Sequence, residues 1–548
     1  MNLHHHPTFS AYLAQWQQHP QQFDLHELSD SVAKVWLSSP FVAEICLHNP
    51  LLLKDLLESG DLFQAYASYY PHHLSALNED DETVFMAELR HLRRREMLRI
   101  AWRDLAGWSD LDETLTDLSA LADACIERAH AFSHARLAAR FGEPVLANGH
   151  RQQMIILGMG KLGAGELNFS SDIDLIFAYA EDGVLPDKKQ TTYSEFFNKV
   201  ARLLIKLLDA PTQDGFVFRV DARLRPFGDS GPLVMSFDGL EHYYLTQARE
   251  WERYAMIKAR QIGGNHDHGA PLQTMLQAFV YRRYLDYGAL EEIRGLKQKI
   301  AQELARKDRL DNIKLGVGGI REIEFIAQAF QLIRGGQEPA LRCRELQQAL
   351  HILGALEVLK PEETQELIQH YRFLRRLENR LQAYQDRQTH DLPDTEDAQA
   401  ALALAMDYQH WPELAATIEQ TRNRVHHLFC DIFRVDTPDE EQSPEYALWH
   451  NCDSEQARKL GFKNPEAVVA LLQTFKHSSK IQRLTQKGQA TLERLLPDML
   501  TTISQQPEPD MLLPRLLHLF ETVAGRTIYL TLLAENPKAL AHVVRLSG

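Results

Sequence analysis

The stretch from Met154 to Asp221 constrains the fold most, because its apolar pattern has the period of strands in an otherwise helical chain. MIILGMG, from Met154, and DLIFAYA, from Asp174, are short apolar runs that predict buried strands. GFVFRVDARL, from Gly215, alternates apolar and polar residues, which predicts a half-buried strand. Between the last two strands, SEFFNKVARLLIKLLD predicts a helix with the apolar stripe Phe197, Val200, Leu204 and Leu207. The order strand, strand, helix, strand indicates a small mixed α/β domain.

The segments on either side predict helices. In residues 1–140, Phe85, Leu89 and Leu92 recur at helical spacing within the arginine-rich segment RHLRRREMLRIAWRD. After about residue 275 the pattern is helical again, most clearly in ELIQHYRFLRRLENRLQ. We expect the arginines of both segments to lie on solvated helix faces or in ion pairs with acidic neighbours. These are Arg93, Arg94, Arg95, Arg99, Arg103, Arg372, Arg375, Arg376 and Arg380.

Composition and charge exclude several classes of protein. Of 548 residues, 44 % are hydrophobic and 24 % charged, as in ordinary globular proteins. No run of about 18 apolar residues occurs, so we expect no membrane span, and MNLHHHPTFSAYL has no signal-peptide pattern. A net charge of −16 argues against general nucleic-acid binding, which needs a basic face. Five scattered cysteines predict the reduced thiols of a cytosolic protein, not disulfides or a zinc site.

Two aspartates, Asp172 and Asp174, stand at the start of the second predicted strand. Residues i and i+2 share a strand face, so both carboxylates point the same way. Such carboxylates repel each other unless a cation lies between them, and hard oxygen ligands suit Mg²⁺. Asp221, on the third predicted strand, can face the same cleft. We therefore predict that these three residues are catalytic and hold two Mg²⁺ ions for an in-line displacement at phosphorus.

The segment GMGKLGAGELNFSSD leads into the aspartate pair. Glycines permit tight turns and close approach of the backbone to phosphate oxygens, and serine hydroxyls add donors. A dinucleotide-binding or Walker A loop fits less well, because a DxD strand follows the glycines and the GK[ST] ending is missing. A DxD pair alone is more often a surface turn or a helix N-cap; its combination with the glycines, the apolar strand and a third aspartate favours catalysis. The residues expected to contact phosphate are Gly158, Gly160, Lys161, Gly163, Gly165, Ser170 and Ser171.

GMGKLGAGELNFSSDIDLIF and FRVDARLRPFGDSGPLV together resemble the polymerase-beta-type nucleotidyltransferase module of the bifunctional glutamine synthetase adenylyltransferase/adenylyl-removing family. The resemblance continues through REWERYAMIKAR, KLGVGGIREIEF and YRFLRRLENRLQ, and covers most of the chain from about residue 30. Members are about twice this length and carry two such modules, whereas this chain has one DxD centre and resembles the N-terminal half. PFVAEICLHNPLLLKDLLESG, from Pro40, is echoed weakly by IYLTLLAENPKALAHVVRLSG, from Ile528, which fits the start of a second copy.

The resemblance implies a deadenylylase, because in this family the N-terminal module removes AMP from glutamine synthetase and the C-terminal module adds it. The implied reaction is phosphorolysis: inorganic phosphate attacks the phosphorus of adenylyl-O-tyrosine, and ADP leaves. The resemblance also implies a cytoplasmic, Mg²⁺-dependent enzyme under the control of a PII-type signal protein, without nucleic-acid or membrane partners. Two alternatives stay open: an adenylyltransferase that works forward with ATP, and a catalytically silent docking scaffold for a signal protein.

Charged residues beyond the carboxylates are expected to line the cleft. Arg223 and Arg225 suit bidentate phosphate binding; the alternative is a pair of surface arginines on an edge strand. In REWERYAMIKAR the resemblance favours Glu252, Lys258 and Arg260, on one helix, as the cleft wall over ion pairs on a solvated face.

GVGGIREIEF predicts a helix that begins near Ile320. Free amides at its N-terminus, together with Arg321, would bind a phosphate. A purely structural turn is the alternative.

The length of the chain predicts several domains. We expect an α+β protein, mostly α, with a polymerase-beta-like nucleotidyltransferase domain between helical bundles. The predicted divisions are an N-terminal helical domain at 1–140, a catalytic domain at 141–265, a helical bundle that closes the cleft at 266–434, an acidic linker at 435–444 and a helical regulatory or connecting domain at 445–548.

Overall fold

The structure is a computed structural model, and it confirms the prediction of a mostly helical α+β protein with a small mixed sheet. It divides into two compact units, Met1–Ile432 and Phe433–Gly548. The predicted acidic linker 435–444 lies outside the described residues except for Pro444. The residues that the structure describes are 3–65, 70–75, 77, 80–281, 311–433, 444–482, 484, 486–523 and 527–547.

Helices fill the N-terminal part, as its periodicity predicts. They are α1 Pro7–Gln18, α2 Val32–Ser38, α3 Pro40–His48, α4 Pro50–Glu58, α5 Tyr70–Ser75, α6 Glu82–Ala106 and α7 Leu111–Phe141. The side chains of Asp81 and Asp110 accept backbone hydrogen bonds from the first turns of α6 and α7. Gly107 ends α6 in the left-handed conformation, with φ 77°. Local capping therefore sets the bounds of the two long helices.

The arginine-rich helix α6 is largely buried, so the prediction of a solvated face is wrong. Arg99 is 0 % exposed and donates to Glu96 at 2.7 Å and to Asp117 at 2.6 Å. Arg103, also buried, donates to Glu113 at 2.6 Å. The expected acidic partners are present, but two of these three lie on α7. Their charges offset the cost of removing the guanidinium groups from water.

A mixed sheet of five strands follows in the described part of the chain, in the order β3-β2-β1-β5, with β4 also pairing with β2. The strands are β1 Ile155–Gly158, β2 Ile173–Tyr179, β3 Val220–Asp221, β4 Val234–Ser236 and β5 Arg260–Gly263. β1 is antiparallel to β2 and β5, whereas β3 and β4 run parallel to β2. The first two predicted strands are confirmed.

The third predicted strand is shorter than its alternating pattern indicates. Of GFVFRVDARL, the structure pairs Val220–Asp221 with β2. Val217 and Phe218 are both buried, and both amides donate to the carbonyl of Leu208. The start of this segment therefore caps the preceding helix instead of extending the sheet.

Helices cover both faces of the sheet. They are α8 Gly160–Gly163, α9 Tyr193–Asp209, α10 Phe237–Thr246, α11 Glu250–Met256 and α12 His266–Val280. Leu175 and Phe177 of β2 belong to the core shared with α6, α7 and α9, whereas Ile176 and Ala178 belong to the core shared with α10 and α12. Because side chains alternate along a strand, Asp174 shares the face of Ile176 and Ala178.

The predicted helix before β3 is confirmed as α9. Thr192 and Glu195 form a capping box at its start. Its predicted apolar stripe is fully buried in the main core: Phe197, Val200, Leu204 and Leu207.

Further helices complete the first unit. They are α13 Ile320–Arg334, α14 Leu346–Ala355, α15 Pro361–Ala383, α16 Glu396–Ala405 and α17 Trp411–Ile432. α13 begins at Ile320, as predicted. α15 contains the second arginine-rich segment, and its Arg375 and Arg380 are buried. As in α6, these arginines are paired but not solvated.

The second unit is helical, with its own apolar core. Its helices are α18 Pro444–Asn451, α19 Ser454–Lys459, α20 Pro465–Lys476, α21 Ser479–Gln482, α22 Gln486–Ser504, α23 Pro509–Val523, α24 Thr527–Glu535 and α25 Pro537–Leu546. Asn536, between α24 and α25, has φ −129° and ψ 88°, close to the φ −142° and ψ 74° of Asn49 between α3 and α4. The sequence echo is therefore also a shared helix–Asn-Pro–helix junction.

Two expectations from composition concern the chain as a whole. Across the described ranges, the search for a helix with the length and apolar character of a membrane span finds none. The five cysteines, all at described positions, form no disulfide; Cys46 and Cys125 are buried and Cys430 is exposed.

Candidate active site

Two glycines of the lead-in segment are required by close packing. Gly160 has φ 54°, and a Cβ there would lie 3.1 Å from Oδ2 of Asp174. A Cβ on Gly163 would lie 1.9 Å from the carbonyl oxygen of Lys258, which no rearrangement of a side chain relieves. α8 therefore packs directly against the carboxylate strand and against the segment before β5. The phosphate contacts expected of the four glycines in this segment stay predictions.

The three predicted carboxylates lie on neighbouring backbone positions. Asp172 directly precedes β2, Asp174 is its second residue, and Asp174 pairs in register with Asp221 of the parallel strand β3. Adjacent strands are ~4.8 Å apart, and registered residues point to the same face. The structure thus brings Asp174 and Asp221 side by side although 46 residues separate them in the sequence.

Asp174 is an acid held in an unfavourable electrostatic environment. Burial, followed by the charges of Asp172 and Asp221, raises the pKa of Asp174 from 3.8 to about 7. A carboxyl with such a raised pKa is stabilised as an anion when a cation comes close. The donor set of carboxylate oxygens therefore fits a hard divalent cation such as Mg²⁺.

Arg223 currently engages the third carboxylate. Its backbone amide lies 2.8 Å from Oδ1 of Asp221 and its Nε 2.9 Å from Oδ2, and these hydrogen bonds lower the pKa of Asp221. In the described part of the chain, no group of three His, Cys, Asp or Glu side chains is arranged to hold a metal. The Arg223 side chain is 72 % exposed, so it can leave Asp221 at little cost. Arg225, the second predicted arginine, donates to the carbonyl of Ala222.

Lys161 and Lys258 meet in a buried ion cluster. Glu324 accepts from Lys161 at 2.6 Å and from Lys258 at 3.2 Å, and Lys258 also lies 3.8 Å from Glu166. Burial, then repulsion from Arg375, lowers the pKa of Lys161 to about 8. Burial favours the neutral acid at Glu324, but the two lysines hold its pKa well below its usual range. Glu324 and Glu166 thus neutralise the positive charges of Lys161 and Lys258, the two lysines that were expected to contact phosphate.

The placement of Glu252, Lys258 and Arg260 on one helix is wrong. α11 ends at Met256, Lys258 lies beyond it, and Arg260 begins β5. Arg260 donates to Asp123 at 2.8 Å and to the carbonyl of Gly163 at 3.1 Å, because pairing with β1 turns it away from the helix axis.

Glu252 is buried at the start of α11. It accepts hydrogen bonds from the Tyr243 hydroxyl at 2.7 Å and from the Arg249 amide at 2.8 Å. The contact with the Arg249 amide satisfies a backbone donor at the start of the helix, so the structure gives Glu252 a role in holding the helix end.

The N-terminus of α13 does not present free amides. The amides of Ile320, Arg321 and Glu322 donate to the carbonyls of Ile313, Lys314 and Gly319. The structural turn, the alternative interpretation of GVGGIREIEF, therefore describes this backbone better than an anion site does. The side chain of Arg321 is exposed.

Polar residues of α15 hold the loop before β2, and two of them, Asn379 and Gln382, were not singled out by the sequence. The Phe169 amide donates to Asn379 at 2.9 Å, and the Ser170 amide donates to Gln382 at 3.0 Å. Arg375 donates to the carbonyl of Glu166 at 2.5 Å. Positions 375, 379 and 382 recur at helical spacing, and this polar stripe beside the apolar stripe of the helix was the available signal.

The two serines of the lead-in segment differ in their surroundings. Ser170 is buried and accepts from Arg219 through its hydroxyl at 3.0 Å, whereas Ser171 is half-buried. Ser170 therefore has a structural partner already, and the phosphate contact expected of both serines stays a prediction.

Lys314 is a further residue that sequence reasoning missed, although it begins the motif KLGVGGIREIEF. It is half-buried, and it lies close enough to Asp174, Glu324 and Glu378 for its charge to act on all three carboxyls. Within the described ranges its ammonium group has no hydrogen bond or ion pair, unlike Lys161 and Lys258.

Two family models match the chain. The model for glutamate-ammonia ligase adenylyltransferase matches residues 29–275, which contain the three carboxylates. The model for GlnD PII-uridylyltransferase matches residues 294–433, which contain α13 to α17.

Curated relatives carry the name bifunctional glutamine synthetase adenylyltransferase/adenylyl-removing enzyme. The protein of Nitrosococcus oceani is 46 % identical over 529 residues, which are 93 % of this chain and 54 % of the relative. The proteins of Methylococcus capsulatus and Pseudomonas aeruginosa are 46 % and 44 % identical, over 85 % and 95 % of this chain and 50 % and 55 % of their own length. The chain therefore spans about half the length of the curated relatives it matches. The segment that contains the carboxylate strand is therefore similar to the glutamate-ammonia ligase adenylyltransferase family.

Proposed function

We propose that this chain removes AMP from adenylyl-tyrosine of glutamine synthetase by phosphorolysis and releases ADP. The observation that carries the proposal is the register of Asp174 with Asp221 beside Asp172, in a segment that matches an adenylyltransferase family. The names of the relatives combine adenylyl transfer to glutamine synthetase with adenylyl removal. The resemblance of this chain to an N-terminal half favours removal.

The chemistry joins two anions, so it requires positive charge. An oxygen of inorganic phosphate bonds to the adenylyl phosphorus while the bond to the tyrosine oxygen breaks; ADP leaves and the tyrosine oxygen takes up a proton. A phenol with a pKa of ~10 is a fair leaving group. Mg²⁺ held by Asp172 and Asp174, and by Asp221 once Arg223 releases it, would screen the phosphates and polarise the reacting bond.

Lys314 and Arg223 are the cations of this chain best suited to the second anion. Lys258 and Arg260, the other candidates, already have carboxylate partners at 3.2 Å and 2.8 Å. Lys314 has no such partner among the described residues and acts on the Asp174 carboxyl. Arg223 becomes available when Asp221 binds a metal ion. Both would hold phosphate through charge-assisted hydrogen bonds.

The test uses the full chain, adenylylated glutamine synthetase and Mg²⁺, with chromatography of the released nucleotide. We expect ADP in the presence of inorganic phosphate and no release without it, and Asp174→Asn should release nothing. Release of AMP at full rate in phosphate-free buffer would show a hydrolase instead. Incorporation of AMP from ATP into unmodified glutamine synthetase would favour the forward transferase.

A PII-type signal protein is the regulator that we propose. The match of residues 294–433 to a PII-uridylyltransferase family supports a link to PII signalling. The effect of added PII protein on the rate of ADP release measures this directly. A chain that binds PII protein but shows no Mg²⁺-dependent nucleotide binding by calorimetry would be the silent scaffold.

A further inference from the structure

The turn after α15 presents an amide side chain to Asp172. Nε2 of Gln388 donates to Oδ1 of Asp172 at 2.8 Å, across 216 residues of sequence. Gln388 itself is exposed and is not part of an apolar core. Its reach to Asp172 therefore depends on how firmly the turn is held.

Several contacts fix this turn. Asp386 has φ 50°, a left-handed conformation that costs a non-glycine residue free energy. Its carboxylate pairs with Arg93 of α6 at 2.8 Å, and both side chains are nearly buried. Further along the turn, the carbonyl of Thr389 accepts from Gln382 at 3.4 Å. A strained turn that persists under these constraints has a defined geometry.

The loop that carries Asp172 is held by the same helix. Gln382 donates to the turn through Nε2 and accepts the Ser170 amide through Oε1, so one buried side chain joins both segments. Asn379 accepts the amide of Phe169 and donates to Asp104 of α6 at 3.0 Å. Because α15 supports both partners of the Gln388–Asp172 contact, their separation is set by one rigid element.

We propose that Gln388 is a positioning residue for Asp172. Its amide occupies one oxygen of the carboxylate and leaves the other oriented towards the cation site shared with Asp174. This inference rests on the proposed function, since it assumes that the carboxylates hold a divalent cation. Hydrogen-bond partners of ligating carboxylates fix their orientation, and removing one typically costs ~10–100-fold in metal affinity or activity.

The experiment compares Gln388→Ala with Gln399→Ala in the full chain. Gln399 is a matched control, because its amide donates to the Pro393 carbonyl at 3.0 Å outside the carboxylate site. Mn²⁺ binding is measured by calorimetry, and ADP release from adenylylated glutamine synthetase is measured against Mg²⁺ concentration. We expect Gln388→Ala to weaken Mn²⁺ binding by ~10–100-fold. Its thermal midpoint and KM for the protein substrate should stay unchanged, and high Mg²⁺ should restore kcat.

The outcomes separate this inference from the proposal beneath it. Equal Mn²⁺ affinity in Gln388→Ala and the unmodified chain overturns the positioning role and leaves the proposed function standing. An equal loss in both glutamine variants also overturns it, because the effect would then be general. Absence of Mn²⁺ binding by the unmodified chain overturns the metal site of the proposed function itself.

Discussion

Asp174 carries a negative charge that the metal-free chain stabilises poorly. Replacing Asp174 with Asn should therefore stabilise the fold and abolish turnover. The pKa of Asp174 is raised from 3.8 to about 7, mainly by burial. Each pKa unit is worth ~1.4 kcal/mol, so ionised Asp174 costs the folded state ~4 kcal/mol at pH 8. The protonated form of Asp174 therefore stabilises the folded state relative to the unfolded chain. This contribution to the free energy of unfolding is complete below pH 3.8, the usual pKa of the group, and is lost as the pH rises through about 7, its pKa in the fold. Asn, of nearly the same shape, removes this dependence.

The assay is thermal unfolding of Asp174→Asn and the unmodified chain in EDTA. For a unit of residues Met1–Ile432, an unfolding entropy of ~2.1 cal/mol/K per residue converts this energy to an increase in Tm of about 4 °C at pH 8 and about 2 °C at pH 5. Asp394→Asn, at an exposed carboxylate, should shift neither value. Saturating Mg²⁺ should raise the Tm of the unmodified chain and so remove the difference in Tm between this chain and Asp174→Asn. An equal or lower Tm of Asp174→Asn at pH 8 would refute the buried-charge argument.

Three further predictions concern the cation, the unit boundary and the buried arginines. Lys314→Ala should raise the phosphate concentration for half-maximal rate by about tenfold, whereas Lys360→Ala, at an exposed lysine paired with Glu363, should leave it unchanged in the same assay. A chain that ends near residue 440 should unfold cooperatively and keep its rate of ADP release; an inactive or insoluble product would show that the second unit belongs to the catalytic fold. Arg99→Leu removes the guanidinium group that pairs with the buried carboxylates of Glu96 and Asp117 and should cost ~3–5 kcal/mol by chemical denaturation, far more than Arg372→Leu, at a partly exposed arginine in the middle of α15.

The sequence predicts the elements around Asp174 well, because periodicity reports burial directly. β1, β2 and α9 follow from apolar runs and stripes, and the spacing of Asp172 and Asp174 follows from the strand period. The β3 prediction is too long, since the alternating pattern does not reveal that the amides of Val217 and Phe218 are used to cap α9.

Charged residues are less predictable because burial of a charge depends on partners far away in the chain. The local sequence predicts Arg99 on the surface, because it does not reveal the buried ion pair with Asp117 of α7. The local sequence likewise predicts that Lys161 and Lys258 are available to bind phosphate, because it does not reveal that Glu324 of α13 pairs with both. The residue that holds Asp172 is equally remote, and no local pattern marks Gln388.

The contact between Asp172 and Gln388 also has a consequence for biosynthesis. A ribosome adds roughly 5–20 residues per second, so the 216 residues that separate these partners take about 10–40 s to make. For most of that interval the emerging chain has its carboxylate strand but lacks α15, which binds the amides of Phe169 and Ser170. The loop before β2 therefore acquires its final backbone partners late in translation, after the N-terminal helices and the sheet have left the ribosome.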